Sequence, residues 1–134
     1  MNVILSGAFD LLHSGHIDII KFAAASGDKL IICIDSDSRI SKTKGADRPI
    51  NTCDTRKYIL RAIRWVDEVI EFNSDDELIS ILKDHQPHIR VCGSDWKDKN
   101  IVGEDFVKKV IFYERDIRYS TTDVIKNINN RRVL

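Results

Sequence analysis

The sequence predicts an α/β domain, with a parallel five-stranded sheet covered by helices on both faces in three layers. Three observations predict it. Five short apolar runs alternate with segments whose apolar residues recur at helical spacing. The longest run, Leu30-Ile31-Ile32-Cys33-Ile34, is continuous rather than alternating, as in a strand buried on both faces. A chain of 134 residues suits one sheet-centred core and is too short for two.

Asn2–Ser6 reads as the first strand, and His16–Ala25 as a helix ended by Ser26-Gly27, where glycine suits a left-handed cap. Lys29–Ile34 is the second strand, and residues 35–51 read as a polar loop carrying Lys42, Lys44, Gly45, Arg48 and Pro49. Near Asn51 or Thr52 a helix opens, with Tyr58, Ile59, Ala62 and Ile63 spaced for one face. Tyr58 and Trp65 are expected in the core. Glu68–Phe72 is a strand, and Asp75–His85 a helix with Leu78, Ile79, Ile81 and Leu82 inward. Pro87 marks its exit, and His85 and His88 beside it read as surface residues. Ile89–Cys92 and Val110–Tyr113 are the last strands. Thr122–Asn129 closes the chain as a helix that Ser120 or Thr121 could cap, and residues 130–134 read as a frayed tail. No repeat, linker or low-complexity segment divides the chain, so 1–134 is expected to be one domain.

Lys and Arg number 21 and Asp and Glu 21, a formal balance that argues against a global basic field for nucleic acid. No apolar run approaches the length of a membrane span, and no signal-like segment opens the sequence. The cysteines Cys33, Cys53 and Cys92 have no paired spacing and read as buried thiols in a reducing cytoplasm.

Parallel sheets bind ligands beyond the C-terminal ends of their strands, where strand order reverses. The loops there, 6–16, 35–51, 93–101 and 114–122, are also the richest in His, Lys, Arg, Ser and Thr. In the first of them, Gly7-Ala8-Phe9-Asp10-Leu11-Leu12-His13-Ser14-Gly15-His16, a strand gives way to a helix whose mouth carries two histidines and a glycine. Backbone N–H groups and the helix dipole make such a mouth a phosphate site. The Gly-x-Gly-x-x-Gly turn of dinucleotide enzymes and the Gly-Lys-Ser/Thr ending of a P-loop are both missing. His13 and His16 also lack cysteine or carboxylate partners at zinc-binding spacing.

That first loop resembles the signature of the cytidylyltransferase-like nucleotidyltransferases, whose hallmark is His-x-Gly-His. Arg118-Tyr119-Ser120-Thr121-Thr122 is similar to the family's second signature, a Ser-Thr-Thr turn opening the last helix. The resemblance runs through essentially the whole chain and implies a Rossmann-like fold. It also implies transfer of a nucleoside monophosphate from a triphosphate to a phosphorylated acceptor, with pyrophosphate leaving. The attacking oxygen is already anionic, so the task is to bring anions together and hold charge on a five-coordinate phosphorus.

By resemblance, His13, His16 and Lys44 carry that chemistry, Lys42 being the competing lysine. Gly7, Ala8, Phe9, Asp10, Gly15, Arg115, Ser120, Thr121 and Thr122 surround the nucleotide. Asp10 orders the first loop, and Gly15 lets phosphate approach the backbone. Lys42, Arg48, Arg56, Asp95 and Trp96 are weaker candidates for the acceptor. Arg56 reads equally as a structural residue and Trp96 equally as a packing one. Mg²⁺ is expected with the triphosphate, held mostly by phosphate oxygens and water. No nucleic acid or membrane partner is expected, and a homodimer is among what the resemblance implies.

Two branches of the family compete for the acceptor. Lys44-Gly45-Ala46-Asp47-Arg48-Pro49-Ile50-Asn51, with Ile101-Val102-Gly103 and Phe106-Val107, resembles the heptose-phosphate adenylyltransferases. The stretch from Arg56 to Leu60, Ile63-Arg64-Trp65-Val66-Asp67-Glu68-Val69-Ile70 and Gly93-Ser94-Asp95-Trp96 resemble glycerol-3-phosphate cytidylyltransferase. Arg118 departs from both, since many members have glycine there. The 44–51 loop tips the expectation toward ATP and a heptose phosphate. A non-catalytic nucleotide-binding module is the reading from another class.

Overall fold

The structure is a computed structural model that describes residues 1–114 and 120–131. Its strands are β1 (Asn2–Gly7), β2 (Lys29–Asp35), β3 (Glu68–Phe72), β4 (Ile89–Gly93) and β5 (Lys109–Tyr113). The helices are α1 (Ser14–Ala25), α2 (Asp37–Lys44), α3 (Cys53–Arg61), α4 (Asp75–His85) and α5 (Thr121–Arg131). The five strands form one parallel sheet in the order β3-β2-β1-β4-β5. Sequence order therefore runs outward from β1 to one edge, then returns to its other side with β4. The reversal leaves a crevice between the C-terminal ends of β1 and β4.

Residue alternation along the strands builds a core on each side of the sheet. Val3, Leu5, Leu30, Ile32, Ile34, Val69, Ile89 and Val91 pack with Ile20 and Ala23 of α1 and Cys53 and Leu60 of α3. On the other face Ile4, Ile31, Cys33 and Phe72 pack with Leu78 and Leu82 of α4. β2 is buried from Leu30 to Ile34, as its unbroken apolar run requires.

Several expectations are corrected. The segment read as a polar loop contains α2. Ser36 caps it, its hydroxyl accepting from the Arg39 amide at 3.2 Å, and Gly45 at φ 105° ends it. Only Ile40 of this helix is buried, so no apolar period announces it. Tyr58 is 79 % exposed rather than in the core. The inward face of α3 is Cys53, Arg56 and Leu60, a spacing that turns Tyr58 outward. Trp65 does pack against the core, half-buried, with Lys21 and Arg64 over its ring. His85 and His88 are half-buried rather than surface residues: His85 Nδ1 lies 3.0 Å from the Ile81 carbonyl and Nε2 lies 3.6 Å from Glu68. Cys33 and Cys53 are buried, and Cys92 is half-buried. α5 runs on to Arg131, so Asn130 and Arg131 belong to a helix; the other tail residues lie outside the described ones.

Candidate active site

A cavity of about 610 Å³ lies over the β1/β4 crevice. The loop leaving β1 shapes it first. Phe9 and Leu11 both take left-handed backbone, at φ 52° and 48°, a strain that non-glycine residues hold only where the surroundings demand it. Phe9 is buried, and its ring stands 3.2 Å from where a side chain on Gly7 would begin.

Asp10 is 1 % exposed and joins three loops. Its carboxylate accepts from the Ile50 amide at 2.7 Å and the Asn51 amide at 2.9 Å, with Arg48 Nε 3.8 Å away. Its carbonyl accepts from the Thr121 hydroxyl at 2.5 Å. The first loop, the 48–51 segment and the start of α5 are thus tied to one residue.

The two histidines cap α1 reciprocally. His13 Nδ1 accepts from the Gly15 amide at 3.1 Å, and His16 Nδ1 accepts from the His13 amide at 3.2 Å. The rings lie 4.0 Å apart between centroids, and Phe9 packs on His16 at 5.6 Å. A nitrogen that accepts a hydrogen bond carries no proton, so each ring holds its proton on Nε2. Both side chains line the cavity. The α1 start therefore needs no Ser, Thr, Asp or Asn cap, since the histidines do both jobs.

α5 brings a second helix start to the same cavity. The Ser120 hydroxyl accepts from the Asp123 amide at 3.1 Å, and Ser120, Thr121 and Thr122 all line the space. Two helix N-termini with their dipoles and free amides converge there. Lys44, the last residue of α2, is exposed and lines it too. Lys42 does not: it faces a separate shallow groove with Asn73, Ser74, Asp75 and Asp76. Gly7, Ala8, Phe9, Asp10, Gly15, Arg48, Asp95 and Trp96 complete the expected residues that line the cavity. Arg115 and Arg118 lie outside the described residues.

Arg56 is corrected. It is 1 % exposed and outside the cavity lining. It donates to the carbonyls of Asn51, Ala8 and Asp35 at 3.0, 2.9 and 2.7 Å and pairs with Asp37 at 2.8 Å. It holds the loops after β1 and β2 from behind. The thiols are held in their protonated form. Burial pushes the Cys33 thiol up to about 12 and the Cys53 thiol up to about 11, and raises Cys92 as well.

The sequence matches a family model described as cytidylyltransferase-like over residues 4–127. The chain belongs to the cytidylyltransferase-like family of nucleotidyltransferases. Curated relatives of this family member include the bifunctional protein HldE of Campylobacter jejuni subsp. doylei, 40 % identical over 97 % of this chain. HldE of Aliarcobacter butzleri is 39 % identical over 94 %, and HldE of Helicobacter hepaticus 34 % identical over 98 %. The chain spans 26–28 % of the length of these relatives. A solved lipopolysaccharide core biosynthesis protein from Thermoplasma volcanium shares the fold, with TM-score 0.72 and 22 % identity over 90 % of this chain and 98 % of that one.

Among the cavity residues that escaped the motif reading, three carry polar or charged side chains toward the α2 and β4 side: Arg39, Thr43 and Arg90. Arg39 and Thr43 sit on α2, hidden with the helix itself, and Arg39 is held by Asp35 and Asp75 at 2.7 Å each. Arg90 stands in the middle of β4, and its signal was a charge inside a run otherwise apolar on both sides. No helix among the described residues is long and apolar enough to cross a membrane.

Proposed function

We propose that the chain transfers an adenylyl group from ATP to a heptose 1-phosphate, giving ADP-heptose and pyrophosphate. The observation that carries the reading is that His13 and His16, paired at the α1 start, line one cavity with Lys44 and the α5 start. The triphosphate lies along the two helix starts, its charge met by amides, by the histidines and by the hydroxyls of Ser120 and Thr121. An oxygen of the acceptor phosphate attacks the α-phosphorus. The new O–P bond forms as the bond to the bridging oxygen breaks, and that electron pair leaves on pyrophosphate. The nucleophile is an anion, so no side chain takes a proton. His13, His16 and Lys44 hold the charge that gathers on the equatorial oxygens.

Mg²⁺ enters as the metal of the MgATP complex. The Asp10 carboxylate is engaged by two amides and Arg48, so the ion's ligands are chiefly phosphate oxygens and water. Support for the acceptor comes from the 44–51 stretch and from the HldE relatives. One observation favours a second reading. Asp95 and Trp96, both lining the cavity, fit the glycerol-3-phosphate cytidylyltransferase pattern and would give CDP-glycerol. The three free cysteines and the small anionic substrates suit a cytoplasmic enzyme, and a homodimer is the assembly proposed. A matrix of ATP and CTP against heptose 1-phosphate and glycerol 3-phosphate, read by pyrophosphate release, tests the reading. Release with ATP and heptose 1-phosphate supports it; silence in every well leaves a nucleotide-binding module without catalysis.

A further inference from the structure

β4 reads Ile89-Arg90-Val91-Cys92-Gly93 and pairs with β1 on one side and β5 on the other. An arginine at its centre is 5 % exposed and lies opposite Ile4, on the sheet face that carries Cys33 and Phe72 beneath Leu82 of α4. Burying a cation there is costly unless something answers its charge. Among the described residues the buried cations are Arg56 and Arg90. Arg56 has Asp37 at 2.8 Å; Arg90 forms no ion pair among those residues, its charge met by the Cys92 sulfur and, at longer range, by Glu104. Arg90 Nη2 donates to the Ser6 hydroxyl at 3.1 Å and Nη1 to the Val102 carbonyl, while Nε is buried with no partner.

The structure around it is built rather than incidental. Gly103, at φ 78°, turns the chain so that the Val102 carbonyl faces the guanidinium, and a side chain on Gly103 would begin 2.3 Å from Leu82 Cδ1. Arg90 also lines the large cavity. The cavity's two sides differ. His13, His16 and Ile19 lie with the α1 face of the sheet, and the α5 start is tied to the same first loop through Asp10. Arg39, Thr43, Phe72, Leu78, Arg90 and Val102 lie with the α4 face. The triphosphate takes the first side, which leaves the second for the acceptor.

We propose that Arg90 is the anion anchor of the acceptor side, its unused N–H groups binding the phosphate of a phosphorylated sugar or polyol. This rests on the proposed reaction, in which that phosphate must approach the triphosphate despite repulsion. Each Nη of the planar guanidinium keeps a second N–H beyond its bond to Val102 or Ser6, and such a pair matches two phosphate oxygens at once while the third attacks.

The test uses the full chain and the variants R90M and R90K. Binding of glycerol 3-phosphate, heptose 1-phosphate and inorganic phosphate is measured by calorimetry without nucleotide. Binding of a non-hydrolysable ATP analogue is measured separately. R90M is expected to lose about tenfold or more in phosphate-ester affinity, with nucleotide affinity within about threefold of wild type. R90K is expected to fall between, because it keeps charge but not the fork. In turnover the acceptor KM rises while the ATP KM stays. If R90M unfolds, the R90K ratio of acceptor to nucleotide affinity decides. Equal losses for both ligands, or unchanged phosphate-ester affinity in a folded variant, would overturn the proposal, since a mere strut between Ser6 and Val102 behaves so. Wild-type protein that binds none of the three phosphates would overturn it too. Arg90-dependent phosphate binding without pyrophosphate release upholds the anchor and rejects the reaction.

Discussion

His13 and His16 each do two things with one ring. Nδ1 closes the α1 start, and that bond places the proton on Nε2. Replacing His16 by Ala removes one cap bond and the donor proposed to act at the reacting phosphorus. The expected result is a fall in kcat of about 10²–10⁴ with only about 1 kcal/mol of stability lost, checked by steady-state rates and urea melts on one preparation. His-x-Gly-His was legible because both functions are written in four consecutive residues. Arg56 and Arg90 were not, because a charge in a helix face or strand reads alike whether it braces loops or faces a ligand. Only the three-dimensional partners separate Arg56, with three carbonyls and Asp37, from Arg90, with neither an ion-paired acid nor a full set of acceptors.

At the scale of elements, the site depends on how three loops are tied together. Asp10→Asn keeps the volume but replaces a carboxylate facing two amides with a group that has only one accepting atom. About 2–3 kcal/mol of stability should go, seen as a lower urea midpoint at unchanged slope. Hydrogen exchange at Ile50 and Asn51 should rise more than in α4. Gly103→Ala is expected to destabilise by about 1–2 kcal/mol, because φ 78° is strained for alanine and its Cβ would meet Leu82; a melting temperature equal to wild type would contradict that placement. The strands and long helices were legible from apolar runs and periods. α2 was not, since Ile40 alone is buried and its start rests on one Ser36 hydroxyl bond. The misplacement of Tyr58 has the same origin. With a buried arginine on the inner face, the apolar residues of α3 no longer mark that face.

The whole molecule is organised by the reversal of strand order between β1 and β4, which opens one crevice flanked by two helix starts and a cation-bearing loop. Its core also sets an alkaline limit. Cys33 is held as a thiol with its pKa raised to about 12 by burial. The folded state therefore binds a proton that the unfolded chain releases near its ordinary value of 9.0. The resulting stability is complete below about pH 9 and is lost as pH rises toward 12; urea midpoints measured across that range should fall, and Cys33→Ala should flatten the fall. At neutral pH thiol reagents should label the native chain slowly and the denatured chain rapidly.

The reaction itself is tested most directly by pyrophosphate release from MgATP and heptose 1-phosphate, with wild type beside His16→Ala. The account predicts stoichiometric pyrophosphate and ADP-heptose from wild type and a rate lower by orders of magnitude in the variant. Release at near-normal rate from a folded His16→Ala protein would contradict it.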